Sequence, residues 1–226
     1  MLIACWSVKG GSGTTVVSVA LAVMLARSHR SGVLLADLAG DVPAALGVAD
    51  PCDPGLTGWL ATGTSVPADA LARLELDVGN GVSLLPRGTG SFGGAGHDRE
   101  RMGVLSGLLA ADPRPVVADC GVLGGAGGAG DVAAEATHSL LVTRACYLAL
   151  RRVTGAPIRP SGVVLVSEPG RAIGRSDVES VVGAPVRAEI AALPAVARAV
   201  DAGVLASRLP RSLDRALRAV VEPLAA

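Results

Sequence analysis

The sequence predicts a doubly wound α/β fold, with a mostly parallel sheet and helices on both of its faces. Apolar runs of four to seven residues alternate with longer helical patterns along the chain. Half of the 226 residues are apolar but only 2% are aromatic, so the core must consist of Ala, Val and Leu, which suits buried parallel strands. No repeat and no convincing linker interrupts the pattern. We therefore expect one domain over residues 1–226.

The alternating pattern gives the expected elements in order. Strands are predicted over residues 2–8, 33–37, 82–86, 115–119, 139–143, 162–166 and 185–188. Helices are predicted over residues 15–29, 67–74, 99–111, 132–137, 145–153, 176–182, 194–202 and 211–221. In such a sheet, ligands bind beyond the carboxyl ends of the strands. The glycine-rich stretch 121–130 is interpreted as a mobile loop at the edge of that site.

Charge and cysteine content narrow the class of protein. The net charge is zero, so the overall field does not draw the chain to DNA or to a membrane surface, although neither partner is excluded. The four cysteines have no metal-binding spacing. No targeting or transmembrane segment is visible, so we expect reduced thiols in a cytoplasmic protein.

A glycine-rich segment joins the first predicted strand to the first predicted helix. It consists of Lys9, Gly10, Gly11, Ser12, Gly13, Thr14 and Thr15. Glycines let successive N–H groups turn inward around an anion, and the following helix adds the positive end of its dipole. Thr15 is placed to put its hydroxyl on Mg²⁺. The segment predicts a phosphate-binding loop, and the alternative is a plain glycine turn.

Lys9 is the only lysine in the chain, and the other nineteen basic residues are arginine. An ammonium kept in such a sequence indicates a position that needs a compact point charge on a flexible stem, as phosphate binding often does. The alternative is a single lysine that stands in the loop by chance.

The segment resembles the deviant Walker A motif of the ParA/MinD-like P-loop ATPases, K-G-G-x-G-K-[ST]. Lys9 matches the signature lysine, which in that family reaches the nucleotide of the partner subunit, and Thr15 matches the Mg²⁺ threonine. Thr14 stands where the family has its second lysine.

The resemblance continues along the chain. Asp37 closes a strand similar to the one that carries the family's aspartate near the metal and the attacking water, but Ala39 replaces a second carboxylate, for which Asp41 is the nearest substitute. Asp119 closes a strand that resembles Walker B. Residues 164–169 resemble the base-contacting segment without its usual asparagine.

The resemblance implies the site residues. Lys9 and Asp37 are the expected catalytic residues, and the segment from Lys9 to Thr15 is expected to bind ATP or ADP. Thr15, Asp37 and Asp119 are expected around Mg²⁺.

The function implied is that of a bacterial positioning ATPase for a division site, chromosome, plasmid or pilus. It would form a homodimer with nucleotide and act on a protein partner. Thr14 and Ala39 predict slow turnover, and a catalytically inactive adaptor is the main alternative. Kinase activity is not expected, since Tyr147 is the only tyrosine, whereas an amidotransferase or synthetase stays open.

The last predicted helix is amphipathic. Leu213, Leu217 and Val220 lie on one face, and Arg211, Arg215 and Arg218 lie on another. The simplest interpretation is a helix packed on the sheet. The alternatives are an arginine face that contacts DNA phosphates and a contact with a membrane or a partner.

Overall fold

Eight strands in the described part of the chain form one sheet. A computed structural model describes residues 1–48, 52–62, 69–90, 92, 97–124 and 128–224, with the backbone alone for 97–99. The strands are β1 (Leu2–Ser7), β2 (Val33–Asp37), β3 (Leu76–Asp77), β4 (Val82–Leu85), β5 (Val116–Val122), β6 (His138–Arg144), β7 (Gly162–Ser167) and β8 (Val186–Ala191). Their order is β3-β4-β2-β5-β1-β6-β7-β8. Of these eight strands, only β3 runs antiparallel to its neighbour.

Helices cover both faces of the sheet. One face packs against α1 (Thr14–Ala26), α2 (Val42–Leu46), α8 (Pro194–Asp201) and α9 (Arg211–Val221). The opposite face packs against α3 (Leu56–Ala61), α4 (His97–Ala111), α5 (Ala129–Glu135), α6 (Tyr147–Val153) and α7 (Arg175–Val182). The predicted doubly wound α/β fold is confirmed.

Strand β1 lies inside the sheet, between β5 and β6. Its six residues are buried, and Leu2 to Trp6 alternate between the two apolar clusters because successive side chains of a strand point to opposite faces. The indole N–H of Trp6 donates to the Ser139 hydroxyl oxygen at 2.9 Å, which satisfies a buried polar group. The strand therefore delivers the segment that follows it to the middle of the sheet's carboxyl edge.

Helix α9 packs on the sheet, as its simplest interpretation predicts. Leu213, Leu217, Val220 and Val221 are buried, and the helix packs against β8 and α1. Asp214 pairs with Arg27 and, more distantly, with Arg218 at 3.9 Å. The apolar face is therefore part of the core.

Several predicted boundaries are wrong. Helix α1 ends at Ala26 rather than at residue 29, and α2, α3 and β3 were not predicted. In place of a helix over 67–74 the described residues contain a turn and a 3₁₀ helix, Ala72–Leu74. None of these residues is fully buried, although Ala70, Leu71 and Leu74 pack against the core. Residues 67 and 68 lie outside the described residues.

The glycine-rich stretch 121–130 is less of a loop than expected. Strand β5 continues to Val122, and α5 begins at Ala129. Residues 125–127 lie outside the described residues. Among the helices of the described residues, none is both long and apolar enough to cross a membrane.

Candidate functional site

A cleft of about 790 Å³ opens at the carboxyl edge of the sheet, over the ends of β1, β2 and β5. One wall is the glycine segment 10–15 and the start of α1. The other walls come from the segments after β2 and β4, from the end of β5 and from the end of α8. They include Leu38, Ala39, Asp41, Arg87, Phe92, Cys120, Gly121, Val122, Val200 and Asp201. The cleft lies where open α/β sheets bind ligands.

The glycine segment has the backbone of an anion-binding loop. Gly11 and Gly13 have left-handed φ angles of 72° and 90°, which glycine adopts without strain. A Cβ atom built on Gly10, Gly11 or Gly13 would meet no heavy atom within 4 Å, so the backbone borders open space. The Ser12 hydroxyl donates to the Lys9 carbonyl oxygen at 2.7 Å and closes the turn.

Helix α1 begins at Thr14 without a side-chain cap. Its first N–H groups therefore have no partner from the capping residue, and the positive end of its dipole lies at the cleft. Loop and helix together form the environment that favours a phosphate group.

A bulge in β5 connects this loop to the neighbouring strand end. Cys5 pairs with Asp119 but Ser7 pairs with Val122, so β5 has one extra residue. Gly121 lies in the bulge with a φ of 60°, and a Cβ there would come within 3.0 Å of the Ala39 Cβ. The Ser7 hydroxyl lies 3.2 Å from the carbonyl oxygens of both Lys9 and Gly121. Glycine is therefore required at residue 121.

Asp37 and Asp119 lie side by side next to the cleft. They are register partners, Asp37 at the end of β2 and Asp119 in the middle of β5, and both are fully buried. Neither lines the cleft, but the residues that follow them, Leu38 and Cys120, do. Asp37 borders a smaller pocket of about 100 Å³ that Arg87 also lines. Asp37 accepts hydrogen bonds on Oδ1 from the amides of Ala39 and Gly40 at 3.0 and 2.6 Å. Asp119 accepts one on Oδ1 from Gly121 at 3.2 Å. The Oδ2 atom of each carboxylate is buried without a hydrogen-bond partner.

The ionised forms of both carboxylates are costly in this environment. Burial raises the pKa of Asp37 to about 6, although the amides of Gly40, Ala39 and Val42 lower it. Burial also raises the pKa of Asp119 to about 7, with the Thr15 hydroxyl lowering it and the charge of Asp37 raising it further. Two adjacent buried acids with spare oxygens are an arrangement that a cation would stabilise.

The donor set fits Mg²⁺ rather than a metal held by protein alone. The described residues contain no group of three or more His, Cys, Asp or Glu side chains that could hold an ion. Mg²⁺ is commonly bound through one or two carboxylates together with phosphate oxygens and water. Thr15 and the free oxygens of Asp37 and Asp119 match that pattern.

Other predicted site residues occupy different positions. Lys9 is not among the described residues that line the cleft, and its ammonium nitrogen lies 3.5 Å from the Gly10 carbonyl oxygen. Thr14 is 7% exposed at the first position of α1. Ala39 and Asp41 line the cleft, and Asp41 directly precedes α2.

Arg87 is a cleft residue that the sequence analysis missed. It lies two residues beyond the end of β4, whose Leu85 pairs with Ala36 of β2. Its terminal nitrogen donates to the Ala39 carbonyl oxygen at 2.9 Å. The available signal was its position after a predicted strand, because parallel strands place their carboxyl ends on one edge.

The ends of β6 and β7 hold a separate charge cluster. Arg144 and Arg171 both pair with Glu168, Arg144 at 2.5 Å. This is the region that resembles the base-contacting segment. None of the three residues lines the cleft.

The chain combines a doubly wound α/β sheet with a glycine-rich loop between β1 and α1. No family model and no curated protein matches the chain. A ParA family ATPase from Chlorobium tepidum TLS is similar, with a TM-score of 0.75, 18% identity, and 96% of this chain and 95% of that chain covered.

Two solved MinD structures are also similar. MinD from Pyrococcus horikoshii OT3, complexed with Mg-ADP, has a TM-score of 0.75 and 21% identity, with 99% of this chain and 95% of that chain covered. The MinC:MinD complex from Aquifex aeolicus gives 0.74 and 18%, with 99% and 94% covered. The chain therefore has the ParA/MinD-like fold that the resemblance predicted.

Proposed function

We propose that residues 1–226 form one nucleotide-binding domain that takes ATP or ADP with Mg²⁺ and helps to position or partition a cellular structure. The observation that carries the proposal is the open glycine loop beside two buried carboxylates, each with an unpartnered oxygen. The likeness to a MinD structure complexed with Mg-ADP supports the choice of ligand.

Each part of the site has a role in this proposal. The amides of Gly10 to Thr15 and the start of α1 would hold the phosphates. The Thr15 hydroxyl and the free oxygens of Asp37 and Asp119 would orient Mg²⁺, directly or through water. Bound Mg²⁺ supplies positive charge to the phosphate oxygens. Asp37 would also orient the attacking water, as the resemblance implies.

Turnover is proposed to be slow. Thr14 brings a neutral, nearly buried hydroxyl where the resemblance places a lysine, and Ala39 brings no carboxylate. The second candidate function is a catalytically inactive adaptor, which the same two residues favour. Phosphate release from Mg-ATP by the purified protein separates them: release supports the ATPase, and nucleotide binding without release supports the adaptor.

Lys9 is proposed to act between two copies of the chain. Its ammonium lies on the surface beside the cleft, where the resemblance places a residue that reaches the partner's nucleotide. We expect Lys9→Ala to abolish dimerisation with Mg-ATP while the monomer stays folded, as measured by sedimentation velocity. Arg30→Ala, which removes an exposed cation beyond the other end of α1, is the matched control. A Lys9→Ala protein that still dimerises with Mg-ATP would remove Lys9 from the interface.

A protein partner is proposed for the dimer, and the MinC:MinD complex shows that a protein of this fold takes one. DNA is the alternative surface, through Arg211, Arg215 and Arg218. The few phosphate contacts of such a face would give weak binding with a shallow salt dependence.

A further inference from the structure

Arg87 is the cationic side chain of the cleft in the described part of the chain. The charged residues that line the cleft are Asp41, Arg87 and Asp201. Lys9 lies outside this lining, and Thr14 provides no charge. A bound polyphosphate would carry several negative charges into a cleft where, among the described residues, Arg87 is the only cationic side chain in the lining.

The guanidinium of Arg87 is held in place without being neutralised. One terminal nitrogen donates to the Ala39 carbonyl oxygen at 2.9 Å, and the Phe92 ring centroid lies 5.3 Å from its central carbon. Its Nε is buried without a hydrogen-bond partner. No carboxylate of the described residues forms an ion pair with it, although Asp41 also lines the cleft.

Arg144 and Arg114 show what a structural arginine looks like in this protein. Arg144 also has a buried Nε without a partner, but its terminal nitrogen forms an ion pair with Glu168, which also pairs with Arg171. Arg114 pairs with Glu75 and Asp112, both at 2.8 Å. Arg87 differs because it lines the cleft and forms no ion pair with a carboxylate of the described residues, and a guanidinium without such a partner can bind phosphate.

We propose that Arg87 binds the polyphosphate of the nucleotide and supplies, from the opposite wall, the cation that Thr14 does not. The inference rests on the proposed nucleotide-binding function. Arginine is a suitable replacement because its planar fork contacts two phosphate oxygens, and its hold on Ala39 places it before the ligand arrives. Arg87 would thus also connect the phosphates to the segment that follows Asp37.

Calorimetric titration of Arg87→Ala with Mg-ATP, Mg-ADP and AMP tests the proposal. We expect affinity for ATP to fall roughly 10- to 100-fold, as for loss of a charged hydrogen bond, with a smaller loss for AMP. Arg144→Ala, an arginine at the same edge outside the cleft, should leave all three affinities unchanged. Arg87→Gln keeps a hydrogen-bond donor for Ala39 but has no charge, so it should lose as much ATP affinity as Arg87→Ala. An equal loss would show that the charge binds ATP and that a disturbed fold is not the cause.

Rescue gives a second measurement. Thr14→Lys added to Arg87→Ala should restore most of the lost ATP affinity, because both side chains would offer a cation to the same phosphates. Unchanged ATP affinity in Arg87→Ala, equal losses for ATP and AMP, or no rescue by Thr14→Lys would each overturn the proposal. Failure of the parent protein to bind any of the three ligands would instead overturn the proposed function.

Discussion

The carboxyl edge of the sheet has two polar regions that differ in how their charges are satisfied. In β2 and β5, Asp37 and Asp119 are buried with unpartnered oxygens, each next to a residue that lines the open cleft. At the ends of β6 and β7, Arg144 and Arg171 form ion pairs with Glu168 at a partly exposed surface, although Arg144 Nε is buried without a partner. Buried carboxylates without an ion-pair partner have a cost that a bound cation can remove, whereas the carboxylate of Glu168 is already paired with cations of the protein.

The largest expected effect tests whether the first region is a working phosphate site. Thr14→Lys would place a cation against the phosphates, and a preorganised charge contact of this kind contributes about 3 kcal/mol to the transition state, or roughly a hundredfold in rate. Single-turnover hydrolysis of ATP measures it. A smaller gain is expected in ATP affinity, because the backbone loop and the start of α1 already bind phosphate. If neither quantity changes and the parent protein binds no nucleotide at millimolar concentration, the loop no longer functions as a phosphate site.

An effect of intermediate size is expected on stability, because burying an ionised carboxylate costs folding free energy. Folding raises the pKa of Asp119 to about 7, so the folded state favours the protonated acid. The resulting penalty is absent below the unfolded pKa of roughly 4 and is complete above pH 7. Asp119→Asn should therefore raise the free energy of unfolding of the ligand-free protein by roughly 2 kcal/mol at pH 8 and change it little at pH 3.5.

Urea denaturation at the two pH values measures the difference. Mg-ATP should stabilise the parent protein more than Asp119→Asn, since the variant loses a metal-side charge. Equal stability of variant and parent at pH 8 without ligand would show that Asp119 has no uncompensated charge.

The smallest effect is expected in the second region. Glu168→Gln removes a carboxylate between Arg144 and Arg171, and partly exposed ion pairs contribute little to stability. We expect little change in the urea midpoint and unchanged affinity for Mg-ATP. A large loss of ATP affinity would extend the ligand site to β6 and β7 and would contradict the division into two regions.

The sequence predicts those parts of the molecule that local physics determines. Strands such as β1 and β2 are buried on both faces, so their continuous apolar runs are visible without any tertiary information. Strand β3 has two exposed residues and α2 has five in total, too few to form a recognisable period. The bulge that carries β5 past Asp119 arises from pairing with β1, which the local sequence does not encode.

The candidate site likewise has a part that the local sequence predicts and a part that depends on strand pairing. The glycine loop is contiguous, so Gly10 to Thr15 could be selected from spacing alone. Arg87 reaches the cleft only because β4 pairs with β2, and its contact with Ala39 joins residues that are 48 positions apart. That Lys9 lies outside the cleft lining likewise depends on the conformation of the loop.

Trp6 has a spectroscopic consequence. Its indole is fully buried in the strand that leads to the glycine loop, with its N–H bonded to Ser139 of β6. The chain has only one other tryptophan, Trp59, together with one tyrosine and one phenylalanine. The central guanidinium carbon of Arg101 lies 4.1 Å from the centroid of the Trp59 ring. Replacing Trp59 by phenylalanine would keep a ring beneath Arg101 and leave a single indole. The emission wavelength and lifetime of that indole would then follow the packing of β1 against β6 as ligand is added, without an external dye.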